Sequence, residues 1–345
     1  MAAFRDQIRL AFSLAGKRQT TVGTALANGE MTATMTATLI TASREVREKF
    51  FMNCDNQTLR RIEATSRLMR ATLEFDASPH LAAIFLSGAM GTTAAPTGTD
   101  PKTHVITMLP ASTRELTYHT FIIGHDDGTG EAWGWHDVVF GRVRLEASAG
   151  GDSVWKCTVD MVGNAARTSK TGWTWPACVD EDPANLYDGT LTINATAYIL
   201  TSKSIFCEYD NGVLTNDAPF VAGALDWTRG LRSPVRGYTL GAAILGTDRP
   251  GDALATLCRA NSDVGTVVSD SSVRIGTATN GLTIEAPSAY LSAEAATQAY
   301  YGEAEEGVLN VRIRPLGVSG DATSPLNATA VLPSAQQSTQ LELPG

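Results

Sequence analysis

Long apolar runs, paired cysteines and catalytic signatures are all missing from this chain of 345 residues. No apolar stretch approaches the ~20 residues that a membrane-spanning helix needs, and charged residues interrupt the N-terminal segment where a signal peptide would have its apolar core. We therefore expect a protein of the soluble cytoplasm. The cysteines form no C-x-x-C pair, and their spacing fits no zinc site or disulfide framework. We interpret them as buried or incidental thiols in a reducing compartment: Cys54, Cys157, Cys178, Cys207 and Cys258.

Signatures of enzymes are scarce as well. There is no G-x-S-x-G, no Walker loop, no H-E-x-x-H, and no G-x-G-x-x-G that opens a helix after a strand. One loop concentrates acids and histidines, which could form a metal site or an acid–base pair of carboxylates, but its Asp-Asp-Gly-Thr-Gly run is first a hairpin signal. The sequence thus predicts no enzyme, no metal and no cofactor. An enzyme built around this loop stays as an alternative: His125, Asp126, Asp127, Glu131, His136 and Asp137.

Positive charge is in short supply in the second half of the chain. The net charge is −9; residues 1–180 carry 18 Lys/Arg and 18 Asp/Glu, whereas residues 181–345 carry 9 and 18. Tight binding to nucleic acid depends largely on Lys and Arg that displace counterions from phosphates. The acid excess therefore disfavours strong DNA binding, although it leaves open a surface past which DNA slides.

A repeated strand pattern is present instead. The segment NGEMTATMTATLITAS, residues 28–43, alternates apolar and polar residues as a half-buried strand does. The segment DGTLTINATAYILTSK, residues 188–203, aligns with it without a gap and keeps its apolar residues at odd positions. Both segments are therefore expected to be strands that bury the same face.

Further matches follow downstream in the same order. The pairs Asp55-Asn56 and Asp210-Asn211 predict turns, and Thr72-Leu73 and Thr239-Leu240 predict strands. Short helices are expected within residues 79–87, capped by Ser78 before Pro79, and within residues 250–259. The closing segments CTVDMVG and VRIRPLG also align, with Val159 opposite Ile313.

Together these matches predict an all-β fold with minor α: two tandem β-sandwich or barrel domains, each with one short flanking helix. The alternative is that Thr/Ala-rich strands resemble one another by chance. The predicted organisation is an N-terminal arm (1–28), a first domain (29–170), a linker (171–188), a second domain (189–320) and a C-terminal arm (321–345). Because the arms are poor in large apolar groups, they are expected to be poorly ordered in a free subunit.

The segment from residue 217 to residue 237 is an insertion relative to the first half when the repeat is aligned. It combines aromatic residues with arginines, which suits either nucleic-acid stacking or a protein interface. The acidic half around it favours the protein interface; a solvated loop with one buried Trp is the third possibility. The interface candidates are Phe220, Trp227, Arg229, Arg232 and Arg236.

This organisation resembles the tail tube proteins, or major tail proteins, of long-tailed bacteriophages. The likeness rests on the arm ending KRQTTVGTALANGE, the single short helix among strands, and the strands around the Gly-rich turn SAGGDS that lead into CTVDMVG. The resemblance implies self-association into stacked rings whose sheets line a channel. DNA passes through that channel without specific binding, and its wall is expected to be net acidic or neutral.

The resemblance also implies partners and a location. Tape-measure, tail terminator and tip proteins would be partners, a membrane would not, and the protein would reside in the virion after assembly in the host cytoplasm. Two tube domains in one chain would close a pseudo-hexameric ring with three copies. The alternative function is a two-domain binding module, for example for carbohydrate or a receptor, with an aromatic platform drawn from Trp133, Trp135, Trp173 and Trp175.

Overall fold

The computed structural model describes residues 11–19, 21–26, 35–52, 57–109, 116–124, 132–150, 153–169, 181–199, 202–214, 231–232, 237–245, 253–259, 266–293, 308–316 and 325–333. The first half contains β1 (Ala11–Arg18), β2 (Met35–Met52), β3 (Gln57–Asp76), α1 (Pro79–Met90), β4 (Gly91–Thr93), β5 (Lys102–Met108), β6 (His119–Gly124), β7 (Ala132–Ser148) and β8 (Lys156–Ser169).

The second half contains β9 (Thr190–Ile193), β10 (Thr196–Ala197), β11 (Ser202–Asp210), β12 (Val213–Leu214), β13 (Leu231–Arg232), β14 (Gly237–Leu245), α2 (Ala253–Arg259), β15 (Thr266–Gly276), β16 (Gly281–Ala293), β17 (Val308–Pro315) and β18 (Asn327–Leu332). The described residues are thus mostly β-strand with two α-helices, which confirms the all-β class with minor α. Both helices lie where the sequence predicts them.

The two halves arrange their main strands in the same order. In the first half the antiparallel order is β2–β3–β8–β7–β6–β1, and β1 returns to pair with β2, so that six strands form a closed ring. In the second half the order is β11–β14–β17–β16–β15–β9. Each strand occupies the place of its counterpart along the chain, and α1 and α2 follow equivalent strands, β3 and β14. The second set stays open, because β9 and β11 do not pair with each other in the described part of the chain.

Strand β7 joins the halves into one sheet. Its first part, up to Val138, pairs with β6, and its second part, from Arg142 onward, pairs with β11 on the same edge. Asp137, with a φ of 55°, lies where β7 changes partner. The result is a 16-stranded sheet with one main hydrophobic cluster, to which both halves contribute residues. The division into two separate domains therefore stays a prediction.

Helix α1 lies at the centre of this core. The Ser78 hydroxyl accepts a hydrogen bond from the Leu81 N–H, Pro79 opens the helix, and Gly91 ends it with a φ of 95°. All 12 helical residues are buried. The helix contacts β7 on one side and β16 and β18 of the second half on the other. A helix that is covered on all sides can be apolar over most of its surface, and only His80 and Ser87 of α1 are polar.

The prediction that residues 28–43 and residues 188–203 form equivalent strands is wrong. Leu191 and Ile193 are buried as expected, but β9 ends there in a turn at Asn194 and Ala195, whose φ angles are 50° and 61°. Two successive residues with positive φ form the tight turn of a hairpin, which returns as β10. In the strand order β9 takes the place of β1, not of the start of β2.

The expectation that both arms are poorly ordered in a free subunit is wrong for their described parts. Residues 11–18 form β1, paired on both edges with β2 and β6. Residues 327–332 form β18, which pairs with β16 of the second half and with β5 of the first. The small alternating side chains of β18 are buried, together with Leu326. Residues 1–10, 20, 27–28, 321–324 and 334–345 of the arms lie outside the described part.

The segment 217–237 is not an insertion unique to the second half. The β11–β14 ladder ends at the pair Asp210–Gly237, and the corresponding pair within the longer β2–β3 ladder is Ser43–Arg70. If Thr72 and Thr239 are equivalent, residues 44–69 and residues 211–236 occupy the same place in the two halves, and each is 26 residues long. In the first half these 26 residues belong to the outer part of the β2–β3 hairpin. The alignment of the sequence repeat had not matched them with residues 211–236.

Candidate assembly surfaces

The side of the shared sheet that faces away from the core is charged. This face arises because side chains alternate between the two sides of each strand. Leu73 and Val159 point into the core, whereas their neighbours Glu74 and Asp160 point outward. We call the following twelve residues of β3, β7, β8, β11 and β17 the charged face: Arg70, Glu74, Asp76, Arg142, Arg144, Glu146, Lys156, Asp160, Glu208, Asp210, Arg312 and Arg314. It contains equal numbers of basic and acidic side chains, so its net charge is zero.

The two central arginines of the charged face are held by carboxylates. Arg142 Nε lies 2.8 Å from Asp160 Oδ2, and Arg142 Nη1 lies 3.9 Å from Glu208 Oε2. Arg144 Nε lies 2.8 Å from Glu146 Oε2, and its Nη1 lies 3.3 Å from Glu208 Oε2. Burial alone would lower the pKa of Arg144, but Glu146 and Glu208 outweigh it and raise this pKa. Both guanidinium groups are therefore already neutralised.

The charged face crosses the junction of the two halves. Thr158 of β8 lies opposite both Glu74 and Arg144, and Arg144 in turn lies opposite Glu208 of β11. The Arg144 guanidinium also lies 4.8 Å from the centre of the Phe206 ring, which covers Gly241 of β14. Opposite charges on neighbouring strands stabilise this pairing. The face is thus a continuous surface rather than two separate patches.

The predicted interface residues lie within residues 211–236, the second of the two equivalent 26-residue segments. Phe220, Trp227, Arg229 and Arg236 lie outside the described residues. Arg232 belongs to β13, where its backbone pairs with Val213 of β12. Their role as an interface stays a prediction.

The histidine- and acid-rich loop is only partly described. His125, Asp126, Asp127 and Glu131 lie outside the described residues, whereas His136 and Asp137 belong to β7. In the described part of the chain no group of three or more His, Cys, Asp or Glu side chains could hold a metal.

Asp137 has a structural environment that sequence analysis missed. Its buried carboxylate accepts hydrogen bonds from Gln19 Nε2 (2.8 Å), from the Gly23 N–H (2.7 Å) and from Asn164 Nδ2 (3.1 Å). Its own N–H donates to Gln19 Oε1 at 2.7 Å. This network fixes the chain after β1 to the bend of β7, and a buried carboxylate with three donors needs no metal.

The tryptophans and cysteines do not form a described reactive or binding site. Trp135 is only 5% exposed and belongs to the core, while Trp173 and Trp175 lie outside the described residues. Cys157, Cys207 and Cys258 are buried thiols. Burial raises the pKa of Cys207 to about 12, so this thiol stays protonated and unreactive near neutral pH.

No protein-family model matches the sequence, and no curated protein matches it significantly. Among the described residues, no helix is long and apolar enough to span a membrane.

Proposed function

We propose that this chain is a tail tube protein that polymerises into stacked rings around a channel for DNA. The observation that carries the proposal is the block of four strands that occurs twice in one sheet. The block β2–β3–β8–β7 is followed directly by β11–β14–β17–β16, strand for strand in the same order. A chain with two equivalent blocks side by side provides two of the repeated units from which a closed ring is built.

The outer strand of the first block supports growth by addition of further copies. Strand β2 pairs with β1 only as far as Thr38, and beyond it no described strand covers that edge of β2. An uncovered strand edge is a template for pairing with another chain. Three copies, each adding two blocks, would form a ring with six blocks.

The two equivalent 26-residue segments support contacts between rings. Residues 44–69 and 211–236 leave equivalent strands at equivalent places, so three copies would present six such segments around one rim. Between Val46 and Met52 the strand β2 pairs only with β3 among the described strands. An isolated two-stranded ribbon is marginally stable in water, and a neighbouring ring would supply the missing contacts.

The charged face suits the wall of the channel. Its net charge is zero, and Arg142 and Arg144 are held by carboxylates instead of being free to bind phosphates. Each free Lys or Arg would add a counterion-release contribution to DNA affinity, multiplied over many rings. We place this face on the inside of the ring, where DNA would pass without being retained.

Electron microscopy and mass measurement of the purified protein test the function. We expect rings or tubes whose subunit number per ring is three. Replacing residues 215–230 with a short Gly-Ser turn should leave a folded protein that forms rings but no tubes. Monomers at all concentrations, or tubes formed normally by the deletion variant, would contradict the assembly as proposed.

The position of the charged face has a separate test. The triple variant Glu146→Gln, Asp160→Asn and Glu208→Gln frees the two arginines and makes the face basic. Assembled tubes of this variant should bind a short DNA duplex with an affinity that falls with salt, whereas wild-type tubes should not. The matched control neutralises three acids outside the face, Asp182, Asp188 and Asp270. Equal DNA binding by the two triple variants would show that the face does not line the channel.

A further inference from the structure

The ladder between β7 and β11 shows how two blocks of this sheet join. Val143 of β7 lies opposite Tyr209 of β11 on one edge and opposite Val159 of β8 on the other. After Val138, β11 replaces β6 as the partner on the first of these edges. Because the second block repeats the first strand for strand, β16 has the place of β7, and a following block would have its β2 in the place of β11.

The matching place on β16 is identified by the core pairs. Leu291 of β16 lies opposite Ile313 of β17, as Val143 lies opposite Val159. Leu291 therefore corresponds to Val143. The edge of β16 around Leu291 is the place where β2 of a second copy would pair if the joint between copies repeated the joint within the chain.

Residues 266–269, at the start of β15, occupy this place in the structure, opposite residues 288–291 of β16. We call residues 266–269 the edge segment. The ladder is interrupted beside it, because Asp270 has a φ of 48° and does not pair with Pro287, which has no N–H. Only Val268 of the edge segment is buried, and among the described strands none pairs with its outer edge. The edge segment is therefore held by a short separate ladder.

Two exposed apolar side chains mark the same place. Val267 is 55% exposed and Tyr290 is 39% exposed, and the two residues lie directly opposite each other. On β7 the position of Tyr290 is taken by Arg142, which lies opposite Asp210 of β11. Adjacent exposed apolar side chains beside a strand edge favour association with another chain.

We propose that the edge of β16 around Leu291 is the docking site for β2 of a second copy, in the register of the β7–β11 ladder, and that the second copy displaces the edge segment. This inference rests on the proposed function, since it identifies the strand that meets β2 in the ring. Backbone hydrogen bonds on β16 are exchanged rather than lost, as when a strand is added to a sheet edge. A subunit whose edge segment stays in place would be protected from premature association at this edge.

The internal repeat also gives the register of the joint. Thr41 has the same pairing position on β3 as Glu208 has on β14. Glu208 lies opposite Arg144 of β7, and Ser292 corresponds to Arg144 because each follows the equivalent core residue by one position. Thr41 of the second copy should therefore lie opposite Ser292.

Disulfide cross-linking of assembled rings tests this register. On oxidation, the double variant Thr41→Cys and Ser292→Cys should form disulfides between copies, because opposite residues on paired strands are close enough to be bridged. Denaturing gels without reductant should then show covalent trimers. The matched control Thr38→Cys and Ser292→Cys places the first cysteine where β1 covers β2, and it should not cross-link. Equal cross-linking of the two pairs, or none of either pair in intact rings, would overturn the proposed register.

A disulfide that retains the edge segment tests the displacement. Val268 and Ala289 are buried and lie opposite each other, as do Val273 and Ile284 farther along the same two strands. Oxidised Val268→Cys/Ala289→Cys should lose ring formation and regain it on reduction, whereas Val273→Cys/Ile284→Cys should form rings in both states. Rings formed by the oxidised first variant would overturn this proposal and leave the proposed function intact. Absence of rings in the wild type at every concentration would overturn both.

Discussion

Leu73 of β3 lies directly opposite Val159 of β8, and both side chains are buried. Leu240 of β14 and Ile313 of β17 repeat this arrangement in the second half. The two pairs mark the same place in two equivalent blocks of one sheet. Because that sheet and its main core are continuous, damage at one pair should reach the other half of the molecule.

We therefore expect Leu73→Ala and Leu240→Ala each to lower the free energy of unfolding by about 2–5 kcal/mol. Denaturant unfolding followed by circular dichroism and by tryptophan fluorescence should show one coincident transition in the wild type and in both variants. Two separate transitions, with each variant shifting only one of them, would show instead that the halves fold as independent domains.

His119 should contribute to acid denaturation. Burial, above all, lowers its pKa to about 3, and its ring stacks on Phe140 with centroids 4.5 Å apart. The unfolded chain binds a proton at its ordinary pKa, so stability falls as the pH drops from ~6.5 towards ~3.

The variant His119→Phe keeps a stacked ring but removes the titration. Between pH 7.5 and pH 5 the wild type should lose about 2 kcal/mol more stability than this variant. Urea unfolding at the two pH values measures the difference. At pH 7.5 the two proteins should differ only through packing; parallel losses on acidification would show that His119 is not responsible.

Gly88 and Gly241 should tolerate a methyl group to different degrees. A Cβ at Gly88 of α1 would overlap the Phe140 ring and approach His119, both fixed inside the core. A Cβ at Gly241 would overlap Phe206, whose ring lies on the half-exposed charged face and can rotate away.

Gly88→Ala should therefore destabilise by about 1–3 kcal/mol through overpacking, and Gly241→Ala by less. Thermal unfolding of both variants gives the comparison. Equal losses would mean that Phe206 is held as firmly as Phe140 and cannot rotate away.

Asp137→Asn should loosen the chain after β1. The amide keeps one oxygen that can still accept from Gln19 and Gly23, but its NH2 group then faces the Asn164 donor. This leaves a buried donor unpaired at a cost of about 1–3 kcal/mol. We expect faster proteolysis within residues 21–26. The control Asp188→Asn removes an exposed acid and should be silent; equal proteolysis of both variants would contradict the anchoring role.

Local signals in the sequence were sufficient for several elements. Ser78 before Pro79 predicts the start of α1, and the alternating pattern around Val159 predicts a buried strand. These signals act within a few residues, so no knowledge of the fold is required. The matched order of segments also indicated that the two halves follow the same path.

The parts that sequence analysis missed depend on contacts between distant segments. The turn at Asn194–Ala195 lacks the glycine that usually indicates such a turn in a sequence. The hairpin of β9 and β10 was therefore predicted as a single strand. The pairing of β18 with β5 joins residues more than two hundred positions apart. The charged face likewise depends on strand register, because Glu74, Arg144 and Glu208 become neighbours only when β3, β8, β7 and β11 align.

The two-partner edge of β7 has a consequence for synthesis on the ribosome. Residues 142–148 are exposed as an open edge until Ser204–Asp210 have been made and have left the exit tunnel. A chain that stops near residue 170 would carry this edge permanently, next to a completed first half. Such fragments are expected to associate through the uncovered edges of their β7 strands. Truncated products should therefore accumulate as aggregates rather than as soluble half-molecules.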